Sequence, residues 1–178
     1  MDSLKGQLLI ATAGLLDPNF HRTVVLIAQH SEEGAMGLVL NRPAEVAVAD
    51  AAPQLESLVG PDEPVFVGGP VEGQAVVVLA EFDEPEEAAA LVLADVGFMP
   101  AETEVEPATR RARVFAGYAG WSPGQLEAEL EENAWIIEPA RPEDVFAAPG
   151  EDVWSDVLRR KGGQFAVLSL MPPDPSLN

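Results

Sequence analysis

Short apolar runs, interrupted every few residues by glycine, proline or a carboxylate, dominate the pattern of the chain. Runs of this length that are rich in β-branched residues are typical of buried strands, because branched side chains fit a pleated, half-buried surface. The pattern therefore predicts strands at Gln7–Thr12, Thr23–Gln29, Met36–Leu40, Pro64–Val67, Ala75–Ala80, Ala112–Ala116, Ala134–Ile137 and Gln164–Leu170.

Two of these runs are expected to pair with each other. Thr23–Gln29 and Met36–Leu40 flank the polar segment Ser31–Gly34. A short turn that contains glycine, placed between two apolar runs, favours an antiparallel hairpin. Pro43 ends the second run, since proline cannot donate a hydrogen bond to a central ladder.

Capping signals predict three helices. Asp83–Asp95 begins with an acid at the cap position and a proline in the first turn, and acids there suit the positive end of the helix dipole. Ser122 is predicted to cap a second helix, with Gln125 closing a capping box. Glu151–Lys161 carries apolar residues on one face and cations at its end, which predicts a third helix.

The order of the elements indicates the fold class. Strands cluster early and their neighbours look hairpin-connected, whereas the helices come singly and late. This order predicts an α+β fold with a mixed or largely antiparallel sheet, rather than a doubly wound one. The 178 residues match the common size of one domain, so we expect a single domain over residues 1–178 with a frayed tail from about residue 172.

Composition excludes several classes of protein. The chain has no cysteine, which rules out disulfide frameworks and thiolate metal sites. The apolar run at Leu8–Ala11 is too short for a signal peptide, and no window approaches the roughly 20 apolar residues of a membrane helix. These patterns predict a cytoplasmic protein without a membrane partner.

Charge bears on the choice of partner. Thirty acidic residues stand against ten basic ones, for a net charge of −20, and no lysine or arginine occurs between Arg42 and Arg110. Such a surface repels phosphate backbones and argues against direct nucleic-acid binding. We interpret the acidic excess mainly as a solubility feature; the alternative is a surface that receives a basic partner.

Catalytic chemistry finds little support in the sequence. Gly120–Gly124 has the spacing of a nucleophile elbow around Ser122, but its proline and the following glutamine make this serine a helix cap instead. The only histidines, His21 and His30, both precede the serine, so the chain order of the hydrolase triad is not met. We predict no catalytic residues.

Metal binding is also disfavoured by the sequence. The available combinations are His30 with Glu32 or Glu33, and His21 with Asp17. Two ligands are too few for a site unless the fold brings in others. We therefore predict no metal, and we expect His30, at the end of a strand, to be a structural residue with satisfied hydrogen bonds.

Two glycine-rich segments offer the best hypothesis for ligand binding. Gly68-Gly69 follows a strand, and Gly117–Gly120 is predicted to link a strand to a helix N-terminus, where free N–H groups favour an anion. The alternative is that the glycines serve tight turns and that the neighbouring tryptophan lies in the core. No dinucleotide or P-loop fingerprint is met, so no cofactor is expected. The residues predicted to line this cleft are Arg22, Asn41, Gly68, Gly69, Arg113, Tyr118, Trp121 and Gln125.

Several blocks carry a family resemblance. The segments 30–43 (HSEEGAMGLVLNRP), 68–71 (GGPV) and 117–127 (GYAGWSPGQLE) resemble the AlgH/YqgE family of bacterial proteins, in order and spacing, from Gly6 to about Leu170. One departure is Ala13, close to where the family has a proline. The resemblance implies a single domain with a barrel-like or bifurcated sheet surrounded by a few helices. Some family members carry the label of transcriptional regulator.

Three functional hypotheses remain open from the sequence. The first is a non-enzymatic interaction or regulatory domain, with an unknown protein partner or a second copy of itself. The second is a protein, or an enzyme not evident from its motifs, that binds an anionic or aromatic small molecule in the glycine-rich cleft. The third, a regulator that binds DNA directly, requires a segregated basic face and is ranked last.

Overall fold

Antiparallel strands form the frame of the protein. The computed structural model describes residues 3–12, 15, 17–18, 20–101 and 105–170, so the predictions for Ala13 and for the tail from residue 172 lie outside the described residues. The strands are β1 Gln7–Ala11, β2 Val24–Ser31, β3 Gly34–Val39, β4 Pro43–Ala47, β5 Pro64–Val67, β6 Val71–Phe82, β7 Ala90–Leu93, β8 Val96–Phe98, β9 Thr109–Trp121 and β10 Trp135–Pro139. The helices are α1 Val48–Ala51, α2 Glu56–Val59, α3 Gln125–Glu131, α4 Pro142–Val145, α5 Val153–Lys161 and α6 Gln164–Leu168.

The long strand β9 divides the sheet. The strand order is β10-β1-β2-β3-β9-β6-β8-β7, and β4 and β5 form a branch that joins at β9. Along β9, Ala119–Trp121 pairs antiparallel with β3, whereas Phe115–Ala116 pairs in parallel with β5. All the other strand pairs in the described part of the chain are antiparallel. The prediction of an α+β fold with a largely antiparallel, bifurcated sheet is confirmed.

The predicted hairpin is present and longer than its apolar runs. β2 and β3 pair from Val25 opposite Val39 to Ser31 opposite Gly34. Gly34 has φ 128°, and a Cβ there would lie 2.3 Å from the carbonyl oxygen of Trp121. Glycine is required at this position because the tip of the hairpin packs directly against the backbone at the end of β9.

The predicted helix at Asp83–Asp95 is wrong. The acid and proline signals produce only a 3-10 turn at Pro85–Glu87, and the chain then forms the β7–β8 hairpin. Val92 and Val96 are buried in that hairpin, β8 pairs with β6, and Ala94 takes a left-handed φ of 46° at the turn. The pairing of β8 with β6 outweighs the helical propensity of the alanines.

The predicted strand at Gln164–Leu170 is also wrong, because that segment forms α6 and follows α5. The outer edge of β10 is already occupied by cations at the end of α5. Lys161 donates from Nζ to the carbonyl of Ile137 at 2.8 Å, and Arg160 donates to the carbonyl of Pro139 at 3.1 Å.

The third predicted helix is confirmed as α5, which Asp152 caps by accepting from the N–H of Ser155.

The core lies on both faces of the sheet. Alternate residues of β1 and β2 point to opposite sides, which explains why their sequences are apolar without interruption. One face packs against α5 and buries Trp154, and the other packs against Leu126 of α3 and the indoles of Trp121 and Trp135. The Nε1 of Trp154 donates to the carbonyl of Ala11 at 2.8 Å and ties α5 to the end of β1.

Candidate functional site

Asn41 and Arg22 are structural parts of one turn. Asn41 accepts from the N–H of Val24 at 3.0 Å and donates to the carbonyl of Arg22 at 2.9 Å, so it closes the start of β2. The guanidinium of Arg22 lies 4.0 Å above the ring of Trp154 and 3.7 Å from the carboxylate of Asp152. These contacts explain both residues without a ligand.

The glycine segments bring two stretches of backbone together. Gly117–Gly120 was predicted to lie between a strand and a helix, but it lies inside β9. A Cβ at Gly68 would lie 2.3 Å from the carbonyl oxygen of Gly117, and one at Gly69 would lie 2.2 Å from the carbonyl carbon of Tyr118. The half-buried side chain of Tyr118 packs against the core beneath α5. The space predicted for a ligand is therefore filled by backbone.

Arg113 is the only one of the three arginines on β9 with a side chain that is almost fully buried. Its guanidinium donates to the carboxylate of Glu63 at 3.1 Å and to the carbonyl of Val145 at 2.9 Å, and it lies 4.1 Å above the ring of Phe66. Burial lowers the pKa of Arg113, and the charge of Glu63 partly offsets that effect. This arginine joins β9 to neighbouring segments of the fold.

Trp121 and Gln125 meet at Glu129. The indole N–H groups of Trp121 and Trp135 both donate to Oε1 of Glu129, at 3.1 and 2.8 Å, and Gln125 donates to Oε2 at 2.9 Å. The ring of Phe20 packs 6.4 and 5.6 Å from the two indoles. Both oxygens of this carboxylate have partners, so the cluster holds α3 on the sheet rather than offering a free group.

The predicted cap at Ser122 is corrected in one respect. α3 begins at Gln125, and Gly124, with a left-handed φ of 78°, takes the cap position. The predicted link between Ser122 and Gln125 exists nevertheless, because the side-chain oxygen of Gln125 accepts from the N–H of Ser122 at 3.0 Å. The hydroxyl of Ser122 also donates to the side-chain oxygen of Gln125, at 3.2 Å.

The eight predicted ligand residues, all of them described, do not line a common cavity. Trp121, Arg113 and Gly69 border three different clefts, and Arg22, Asn41 and Gln125 act in local hydrogen bonds or ring contacts. The structure brings together Trp121 with Gln125, Gly68 and Gly69 with Tyr118, and Arg22 with Asn41.

A different pair of residues forms the most distinctive polar site. Nε2 of His30, near the end of β2, lies 2.6 Å from Oε1 of Glu127 on α3, and Nδ1 accepts from the backbone N–H of Leu4 at 2.9 Å. A backbone N–H can only donate, so Nδ1 carries no proton and Nε2 donates to the carboxylate. His30 therefore joins the N-terminal segment, β2 and α3.

This pair borders an open cleft with a volume of about 550 Å³. The hydrogen bond from His30 lowers the pKa of the Glu127 carboxyl below its ordinary value, which keeps the group ionised at neutral pH. The side chain of Glu127 is 31% exposed, whereas that of His30 is 4% exposed. The cleft is lined by Ser3, His30, Ser31, Glu32, Gly124 and Glu127.

The lining of the cleft carries negative charge, because it contains Glu32 and Glu127. Both nitrogens of His30 have partners, so the imidazole has no free lone pair with which to act as a general base. The carboxylate of Glu32 joins that of Glu127 in the lining of the cleft. Among the described residues, no group of three or more His, Asp or Glu side chains could hold a metal ion.

The sequence carried no indication of the contact between His30 and Glu127. The two residues are 97 positions apart, and spacing within a helix or strand carries no signal over that distance. The expectation that His30 is a structural residue with satisfied hydrogen bonds is confirmed.

Known proteins share the sequence pattern and the fold of this chain. The family model described as AlgH-like matches residues 8–166. The chain belongs to the AlgH-like family. A UPF0301 protein of Streptomyces coelicolor is 44% identical over 100% of this chain and 97% of that protein, and a UPF0301 protein of Mycobacterium tuberculosis is 40% identical over 97% and 90%.

Two solved structures share the fold. A crystal structure of a protein from Corynebacterium diphtheriae has a TM-score of 0.87 and 30% identity, over 96% of this chain and 94% of that one. The solution structure of the AlgH protein from Pseudomonas aeruginosa has a TM-score of 0.71 and 33% identity, over 97% of both chains. The resemblance deduced from the sequence blocks is confirmed.

Within the residues that the structure describes, none of the helices has the length and apolar character needed to cross a bilayer.

Titration provides a test of the His30–Glu127 contact in this AlgH-like protein. Replacing His30 by phenylalanine removes the hydrogen bond, so we expect the pKa of Glu127 to rise towards its ordinary value. Carbon-detected NMR of the glutamate carboxyls would measure this change, with Glu32→Gln as a control that leaves the hydrogen bond intact. An unchanged Glu127 titration in His30→Phe would contradict the contact.

The sign of the pH effect follows from the direction of the shift. The folded pKa of Glu127 lies below the unfolded value of about 4.3. The contact therefore stabilises the fold above that pH, and its contribution is lost as the pH falls through the lowered pKa.

Proposed function

We propose that this chain is a non-catalytic interaction domain that binds a positively charged group of a protein partner in the His30–Glu127 cleft. The observation that carries the proposal is the ionised carboxylate of Glu127, which His30 holds in place beside an open cavity. A fixed carboxylate binds an ammonium or guanidinium group better than a mobile one, because less side-chain freedom is lost on binding.

The charge of the whole chain supports the same partner. A net charge of −20 attracts a basic protein and raises the rate at which the two molecules meet. It also repels anionic ligands, which weakens the alternative of an anion-binding cleft. That alternative loses further support because the residues predicted for it are dispersed over several contacts.

Direct DNA binding has little support in the arrangement of the arginines. Arg110 lies 2.7 Å from a carboxylate oxygen of Asp95, and Arg111 forms two hydrogen bonds with Glu81. Near the end of α5, Arg160 forms two hydrogen bonds with Asp144. Cations that are already neutralised by carboxylates release few counterions from DNA. The cytoplasmic location stays a prediction.

The proposed function is tested with a simple cationic probe. We expect a tetra-arginine peptide, acetylated and amidated so that only its side chains are charged, to bind wild-type protein and to shift amide resonances around Ser31 and Gly124. Glu127→Gln should weaken binding roughly tenfold or more, the effect of losing one charge-assisted hydrogen bond.

The matched control is Glu131→Gln, which removes the same charge from an exposed position on the same helix. Its affinity for the peptide should stay within about twofold of wild type, since an exposed charge contributes little. Thermal melting of both variants would show that the fold is retained. Equal losses in the two variants would mean that only the net charge matters, and the site would be rejected.

A further inference from the structure

A second cavity lies on the other side of the β2–β3 hairpin tip. It has a volume of about 520 Å³ and shares His30 and Ser31 with the cleft described above. It opens where the ends of β2 and β9 meet the starts of β3 and β7, and we call this opening the barrel mouth, although the sheet is not closed. Its lining also includes Glu33, Gly34, Met36, Ala90, Phe98 and Trp121.

The barrel mouth has an apolar floor and a polar rim. Met36 and Phe98 are half-buried and pack against the main core, so their surfaces are held in place before any ligand arrives. Ala90 is exposed at the start of β7. Clefts with apolar walls and a few polar groups are common binding sites, because an apolar group is removed from water there.

Acidic residues at the hairpin tip connect the two cavities. Glu32 lines the His30–Glu127 cleft and Glu33 lines the barrel mouth, and both side chains are exposed. A partner that crosses the tip therefore meets a carboxylate on each side of it. The net charge of −20 disfavours a second copy of this chain in the same place, since two such surfaces repel each other.

We infer that the hairpin tip Ser31–Glu33 is straddled by a basic peptide segment of a protein partner, which places a cationic side chain in the His30–Glu127 cleft and an apolar side chain in the barrel mouth. This inference rests on the proposed function for its cationic half and adds the apolar half. The two-part site selects a segment in which basic and apolar residues stand close together.

The experiment compares matched peptides. Each carries two arginines, a spacer of one to three glycines and a terminal leucine, and its partner has serine in place of leucine. We expect the best leucine peptide to bind roughly tenfold more tightly than its serine counterpart, from burial of one aliphatic side chain. The indole N–H resonance of Trp121 and the amide of Gly34 would report contact with the mouth.

Two variants test whether the higher affinity of the leucine peptide arises in the barrel mouth. Ala90→Gln introduces a polar side chain at the exposed rim of the mouth, and we expect it to reduce the advantage of leucine to less than twofold. Ala89→Gln makes the same change one residue earlier, at an exposed position outside the cavity lining, and should keep the full advantage. Glu127→Gln should weaken both peptides equally and leave their ratio unchanged.

The outcomes distinguish the barrel-mouth inference from the proposed function. If Glu127→Gln weakens binding but leucine and serine peptides bind alike at every spacer length, the barrel-mouth inference fails and the proposed function stands. If leucine retains its advantage in Ala90→Gln, the mouth is not the apolar site. If light scattering shows a wild-type dimer that Ala90→Gln dissociates, the mouth belongs to a second copy and the inference is overturned.

Discussion

Replacing Trp154 by alanine is expected to lower the free energy of unfolding by about 3–5 kcal/mol, the usual cost of removing a large buried aromatic side chain. Trp154 is 2% exposed and belongs to the larger core cluster between the sheet and α5. Its loss leaves a cavity that the surrounding strands fill only in part. Since a domain of this kind is stable by about 5–15 kcal/mol, the variant should be close to unfolding.

The hydrogen bond of Trp154 makes a separate contribution. In Trp154→Phe most of the volume remains, but the carbonyl of Ala11 loses its donor in a buried position. We expect this variant to lose about 1–3 kcal/mol, the cost of an unsatisfied buried polar group. The face of the ring contacted by Arg22 is retained in part, since a phenyl ring also attracts a guanidinium.

Urea unfolding followed by circular dichroism would measure both losses. Urea is preferable to guanidinium because a salt would screen the charges of a chain with a net charge of −20. Val167→Ala, on the exposed side of α6, is the control and should change the free energy of unfolding by no more than about 0.5 kcal/mol. A loss below about 1 kcal/mol in Trp154→Ala would contradict the core described for this protein.

The local sequence pattern was sufficient to predict the secondary structure where both faces of a strand are buried. The β2–β3 hairpin combined apolar runs with a glycine-containing turn, and each signal pointed to the same structure. The α5 helix was equally consistent, with one apolar face, an aspartate cap and cations at its end. In these segments local preference and tertiary packing agree, so the sequence alone predicts the element.

The local sequence pattern predicted the wrong secondary structure where tertiary contacts determine which element forms. The alanines of the predicted helix at Asp83–Asp95 are weak evidence beside an available strand partner, and β8 pairs with β6 through Leu79, Ala80 and Glu81. At the other end of the sheet, a strand at Gln164–Leu170 was excluded because Lys161 and Arg160 occupy carbonyls at the edge of β10. Neither fact can be read from the segment itself.

The candidate site also depends on tertiary contacts that local sequence spacing does not reveal. Three glutamates of α3 look alike in sequence but differ in their contacts: Glu127 accepts from His30, Glu129 accepts from two indoles and Gln125, and Glu131 is exposed. Helical spacing cannot single out Glu127, because its partner His30 lies 97 positions away in the sequence. Only after the fold brings β2 against α3 does Glu127 become a candidate for binding.

Replacing Gly69 by alanine is expected to lower the free energy of unfolding by about 2–4 kcal/mol, from steric overlap together with backbone strain. Gly69 has φ 155°, and a Cβ there would lie 2.2 Å from the carbonyl carbon and 2.3 Å from the carbonyl oxygen of Tyr118. The obstacle is backbone rather than a flexible side chain, so relief requires the segment after β5 to move away from β9.

Gly73→Ala is the matched control, because nothing lies within 4 Å of the Cβ that it would add. Its stability should be unchanged or slightly raised, since alanine restricts the unfolded chain. The pair of variants also decides between the two interpretations of the glycine-rich segment. A glycine kept for a ligand would tolerate alanine in the absence of that ligand, whereas a glycine kept for the crossing of two strands would not. Urea unfolding of Gly69→Ala with wild-type stability would therefore return Gly69 to the list of ligand candidates.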